Sequence, residues 1–203
     1  MEVPMTRSFV IGVGLFLSFI ACVRPASAQP VPGNTWSHGT TLGVSAGSAI
    51  ASPETRGTLG TALGWEINHW VEIEGTGAWL VARQGDEAFA GELKLLANLT
   101  RPNTVVPFIG AGVGMYRASF DETSTAIPDF YRRRFVSSSL GTRQTFTDPS
   151  LVFAAGLDIF TGKHVSIRPD LSVRLVTTAS DSYGVTVAAV RVTYHFEVHD
   201  FTR

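Results

Sequence analysis

The chain predicts an all-β fold: a transmembrane, antiparallel, up-and-down β-barrel of about eight strands. Three observations predict it. Stretches of alternating apolar and polar residues recur between turn signals, the period-two pattern of strands with two different faces. Charged residues make up only 16% of the 203 residues, against about 25% in ordinary soluble domains. The polar faces are rich in Gly and Ala, small enough for the crowded interior of a small barrel.

Eight alternating segments stand out, at 40–51, 57–67, 71–82, 89–99, 105–117, 150–159, 165–177 and 184–198. Each is long enough to cross a bilayer as a tilted strand, which takes about 9–11 residues. The seventh is the clearest. Val165, Ile167, Leu171, Val173 and Leu175 alternate with Ser166, Arg168, Asp170, Ser172 and Arg174. The sixth sets Leu151, Phe153, Ala155 and Leu157 against Val152, Ala154, Gly156 and Asp158. The fifth sets Ile109, Ala111, Val113 and Met115 against Gly110, Gly112, Gly114 and Tyr116. In the fourth, Leu96 breaks the pattern. Pro169 lies within the seventh segment, where its missing N–H suggests a bulge.

Alternation alone does not say which face looks inward. A soluble lipocalin-like barrel uses the same period with its apolar face inside. The low charge, the Gly-rich polar faces and the aromatics Trp65, Trp79, Tyr194 and Phe196 near strand ends favour apolar residues facing lipid. On that orientation a charge at mid-depth on the outer face costs roughly 2–4 kcal/mol, and the chosen register places none there. The connections near 68–70, 100–104 and 160–164 are short. The other connections, near 52–56, 83–88, 118–149 and 178–183, include 118–149, much the longest, which predicts short turns at one end and longer loops at the other.

The N-terminus reads as a targeting segment. Arg7 precedes an uncharged, mainly apolar run from Ser8 to Val23, and Ala26-Ser27-Ala28 is a small-residue cleavage site. Residues 1–28 are therefore expected to be a cleaved signal peptide, 29–39 a short leader and 40–203 the barrel domain. The one cysteine, Cys22, falls within the removed run. A lipid anchor at Cys22 is the lesser alternative, because Phe19 stands where such signals usually carry Leu.

The strands Pro107-Phe108-Ile109-Gly110-Ala111-Gly112-Val113-Gly114-Met115-Tyr116 and Phe153-Ala154-Ala155-Gly156-Leu157-Asp158 resemble the fifth and sixth strands of small OmpA/OmpX-type outer-membrane barrels. That resemblance implies an eight-stranded barrel in the bacterial outer membrane, inserted by the outer-membrane assembly machinery. It also implies a final strand ending near an aromatic residue, a pattern that Tyr194 and Phe196 fit.

The predicted inward face collects Glu66, Glu72, Glu74, Glu92, Asp158 and Asp170 with Lys94, Arg168, Arg174 and Arg191. Strands three and seven oppose each other across such a barrel, so Glu72 and Glu74 are expected to look toward Arg168 and Arg174. Two readings stay open: a charged gate in a narrow pore, or a structural ion-pair network, favoured because an unpaired buried charge is very unfavourable. Acid–base catalysis by Glu72 and Glu74 is less expected, since cations share their lumen. His195 is expected in the lumen and His199 in the tail, which argues against a shared metal site. No Ser/His pairing appears on the apolar face.

The long connection holds Phe130-Tyr131-Arg132-Arg133-Arg134-Phe135. Tyr131, Arg132, Arg133 and Arg134 are candidates for binding anionic sugars, lipopolysaccharide phosphates or a protein. The plainer alternative is an extended hairpin whose charges face water. A net charge of −1 gives no reason to expect nucleic acid. The sequence thus predicts a monomeric, non-enzymatic barrel without cofactor or metal, acting in envelope structure or adhesion, with outer-membrane lipid and lipopolysaccharide as partners. The alternative is a small channel.

Overall fold

The computed structural model describes residues 39–51, 54–83, 86–100, 104–121, 124, 127–135, 143–161, 164–178 and 181–196. The expected signal peptide and leader lie outside them. The chain forms β1 (Thr40–Ala51), β2 (Glu54–Asn68), β3 (Val71–Arg83), β4 (Asp86–Asn98), β5 (Val105–Phe120), α1 (Asp129–Arg132), β6 (Gln144–Phe160), β7 (Val165–Thr177) and β8 (Ser182–Phe196). Each strand pairs antiparallel with its sequence neighbours, and β1 closes on β8, with Thr40 opposite Phe196. Closure leaves no strand edge unpaired, which a barrel in hydrocarbon requires. No helix among the described residues is long and apolar enough to cross a membrane.

The apolar residues point outward. Leu63, Leu93, Ile109, Val113, Phe153 and Val190 are among the large side chains at least half exposed. Aromatics ring both ends of this band. Trp65, Trp70, Tyr194 and Phe196 are exposed toward the turn end, and the paired Trp79 and Phe89 toward the other. The turn between β2 and β3 is tight because Asn68 Oδ1 accepts from the Trp70 and Val71 amides, at 2.8 and 3.0 Å.

Several strands run further than the apolar alternation. The second begins at Glu54 rather than 57, the fourth at Asp86 rather than 89, and the sixth at Gln144 rather than 150. Backbone pairing needs no apolar face, and Ser119 pairs with Thr145 beyond Met115, the last apolar residue on the outward face of β5. The expected contrast of short turns and long loops shrinks accordingly. The connections 52–53 and 84–85 are as short as 69–70, and 121–143 alone supplies the long loop. The bulge expected at Pro169 is absent. The β6–β7 ladder is paired at Gly156–Asp170 and again at Ile159–Ile167 without a change of register, and Pro169 sits opposite Val190 on β8. The missing amide opens the ladder without adding a residue.

The interior has two halves. Toward the turns it is charged. Toward the loop it is mainly apolar, with Leu80, Tyr116, Phe120, Val176 and Val185 buried, and it also holds the buried Arg56–Asp86 ion pair at 3.4 Å. Leu96, the exception in the alternation of the fourth strand, is also buried in the lumen. The α1 helix closes the apolar half, with Phe130 and Tyr131 buried against it.

Placing charge on the outer face tests the orientation. Val113→Arg, at mid-strand on β5, is expected to destabilise the barrel by roughly 2–4 kcal/mol. Reversible denaturant unfolding in phospholipid vesicles measures this, and an unchanged midpoint would contradict a lipid-facing Val113.

Candidate functional site

The charged half of the lumen is built around Arg168 on β7, which is 2% exposed. Its Nε donates to Asp158 Oδ1 at 2.7 Å and its Nη2 to Asp158 Oδ2 at 2.6 Å. Its Nη1 donates to Glu74 Oε2 at 2.7 Å, and its Nη2 also to Glu72 Oε2 at 2.9 Å. One guanidinium thus joins three carboxylates from β3 and β6, using the planar fork that suits arginine to this task. The ring of Phe108 lies 4.9 Å below its Cζ. Glu74 also accepts from Lys94 Nζ at 2.9 Å and from Arg191 Nη1. Arg191 Nη2 lies 3.6 Å from Asp170 Oδ2. Thr41 on β1 donates to Glu72 Oε1 at 3.0 Å. A side chain at Gly64 would collide with that same Glu72 oxygen and with Thr41 Oγ1, so the network needs glycine there.

Arg174 does not join this group. It bonds Glu92 on β4 through Nε at 2.7 Å and through Nη2, beneath the Tyr116 ring. Lys94 links the two groups, lying 3.7 Å from Glu92 Oε2. Thr76 donates to the same oxygen at 3.1 Å.

Glu66 stands apart from Arg168. Its Oε1 lies 3.2 Å from His195 Nδ1, and His195 Nε2 lies 3.0 Å from Ser166 Oγ. This order of contacts is that of an acyl-transfer triad. Two features oppose that chemistry. Ser166 is fully buried, whereas a nucleophile needs a reacting carbon about 3 Å away. Its hydroxyl also donates to Asp158 Oδ1 at 3.2 Å. With its one proton given to Asp158, Ser166 can only accept from Nε2, the reverse of what a general base requires. The contacts therefore run as a hydrogen-bonded chain from Glu66 through His195, Ser166 and Asp158 to Arg168. The pairing lies on the inward face, not on the apolar face where a Ser/His pair was expected to show. The register that sets Ser166 beside Thr193, diagonal to His195, carries the signal.

The loop candidates divide. Tyr131 is wholly buried, packed 5.0 Å from Phe120 and 5.2 Å from Phe146, so its ring is not offered to a ligand. Burial pushes its hydroxyl pKa far above the usual tyrosine value. Arg134 holds Asp148 through two bonds of 2.8 and 2.9 Å and stacks 4.9 Å over Phe146. That hydrogen bonding to Asp148 raises its pKa. Both residues fasten the loop to the barrel, so that 127–135 forms a packed lid in place of the extended hairpin that stood as the plainer alternative. Arg132 and Arg133 remain exposed, Arg133 paired with Asp181 at 2.8 Å. Among the described residues, no group of three or more His, Cys, Asp or Glu is arranged to hold a metal.

A family model, the outer membrane protein beta-barrel domain, matches residues 14–196. The N-terminal β-barrel domain of Pseudomonas aeruginosa OprF is similar at 12% identity and a TM-score of 0.57, covering 79% of this chain and 100% of that one. Neisserial surface protein A (NspA) is similar at 12% identity and the same TM-score, covering 78% and 97%. At these identities the likeness is one of fold. A search of curated proteins gives no match.

Removing the central cation should show what it holds together. Arg168→Ala leaves Glu72, Glu74 and Asp158 short of a partner and is expected to cost about 3–5 kcal/mol. Arg133→Ala, at an exposed pair, should stay within about 0.5 kcal/mol of the parent. The temperature at which the folded band converts to the unfolded one on SDS gels ranks the two, and equal temperatures would refute a structural role for Arg168.

Proposed function

The chain belongs to the outer membrane protein beta-barrel domain family, and on that premise we propose that it is a sealed, non-enzymatic barrel serving envelope structure and surface contacts. The observation that carries this reading is the filled lumen. The Arg168 network occupies the turn half, and the aromatic residues beneath α1 occupy the loop half. The space bounded by Arg56, Leu80, Tyr116 and Tyr183 is about 10 Å³, room for one water at most. A solute has nowhere to pass, so function falls to the rim.

In this reading the barrel stands as a monomer in the bacterial outer membrane, its loop end outward. Lipopolysaccharide and membrane lipid surround it, and the outer-membrane assembly machinery inserts it after removal of residues 1–28. Among the described loop residues, the exposed Arg132 and Arg133 present positive charge to a surface ligand, held on a lid that Tyr131 and Arg134 keep rigid. Preorganisation of this kind reduces the entropy lost on binding.

One observation favours a second reading, a narrow ion pathway. Arg174 Nη1, Arg191 Nε, Ser150 Oγ and Thr193 Oγ1 are buried without a hydrogen-bond partner. Ordered water satisfies such atoms in most proteins, and a thread of water through the lumen would carry ions.

Planar-bilayer recordings separate the two. The refolded barrel is expected to give no stable conductance step. Deleting 127–135 should not create one, because the Arg168 layer remains. A reproducible step in the unaltered protein would favour the channel.

A further inference from the structure

The outer wall carries a polar cluster at one place near the loop end. Among the described side chains on the outward faces of the strands, Glu87 and Arg117 are the only charged ones. Both lie on the same flank. Arg117 on β5 sits between Phe89 on β4 and Thr147 on β6. One step further along, Ser119 sits between Glu87 and Thr145. Ser119 Oγ and Thr145 Oγ1 share a hydrogen bond of 2.8 Å. Just before β6, Arg143 reaches across to Glu87 at 3.0 Å.

Depth decides what this cluster meets. Along β5 the outward residues from Val105 to Met115 are all apolar or proline. With a rise of about 3.4 Å per residue and a tilt of about 40°, they span roughly 26 Å of membrane normal, close to the ~25 Å apolar band of such barrels. Arg117 follows immediately, level with the aromatic Phe89. Its head therefore stands where hydrocarbon gives way to headgroups. An arginine at that depth costs only about 0–1 kcal/mol against lipid, whereas one two turns of the pleat deeper costs several times more.

Arg117 is exposed and makes no ion pair or hydrogen bond with any described residue. The Arg143–Glu87 pair is about half exposed on both sides, so it is loosely held and open to exchange. We propose that Arg117 and Arg143 bind the phosphate of a phosphorylated outer-leaflet glycolipid, of the lipid A type, against this flank of the barrel. The guanidinium of Arg117 matches a phosphate bidentately. The hydroxyls of Thr147 and Ser119 lie beside it as further donors, and Phe89 and Met115 below offer the acyl chains an apolar wall. Glu87 opposes the anion and is offset by Arg143. The proposal deepens the reading of an outer-membrane barrel with its loop end outward, and rests on it.

The test uses the full mature protein in phosphatidylcholine nanodiscs doped with lipid A, dephosphorylated lipid A or phosphatidylglycerol. The lipid kept by the protein after transfer to detergent and affinity purification is then measured. The parent is expected to keep lipid A about tenfold over its dephosphorylated form, a difference of ~1.4 kcal/mol. Arg117→Gln should remove most of that preference and Arg143→Gln part of it, while Ser48→Ala, exposed on the opposite wall in β1, leaves it intact. The heat-dependent gel shift confirms that each variant is folded. Equal retention by Arg117→Gln and parent, equal retention of both lipid A forms, or equal retention of phosphatidylglycerol would each overturn the assignment. A parent protein that folds but never enters the discs would overturn the membrane reading instead.

Discussion

The structure depends on one arrangement, the grip of Arg168 on Glu72, Glu74 and Asp158 in the closed interior. A barrel of this size has room for side chains and little else. Charge placed inside it loses its water and must be answered by charge. Arg168 answers for β3 and β6 at once, so the ion pairs work as cross-braces between opposite walls of the sheet. The backbone ladder gives closure, and these braces keep the closed shape from flattening. Ionic interiors are not inherently more stabilising than apolar ones. Their effect here is positional: each carboxylate has one place where its partners are found, which fixes how the strands sit across the lumen.

Most of the architecture was legible in the sequence because lipid and lumen impose opposite demands on alternate residues. Val165 to Leu175 states both faces outright, and the inward set of acids and bases followed from the same parity. Three things were not legible. The strand ends beyond the hydrocarbon, such as 144–149, pair through their backbones and carry no apolar signal. The partner of Arg174 depended on reach and stagger: parity pointed it across to β3, whereas it meets Glu92 on β4. The apolar upper lumen was hidden because Leu80 and Val176 look like breaks in alternation rather than a second core.

The lid was the least legible element. Its run of arginines and aromatics read as a surface ligand site, since both residue types favour interfaces. The outcome turns on companion residues outside the segment: Asp148 captures Arg134, and Phe146 receives it. No local pattern in 127–135 shows that capture. The same segment yields two inward anchors and two outward arginines, so the helix is at once a stopper and a platform.

The continuation of β5 and β6 past the apolar band has a consequence for how such a surface can change over time. The 121–143 segment rises from a hydrogen-bonded ledge, with Phe120 opposite Gln144 at its top, rather than from the bilayer itself. Substitutions or insertions above that ledge that spare the anchors Phe130, Tyr131 and Arg134 are insulated from the wall below. The crown can be rewritten while the cylinder that carries it, and the route by which it is built, stay as they are.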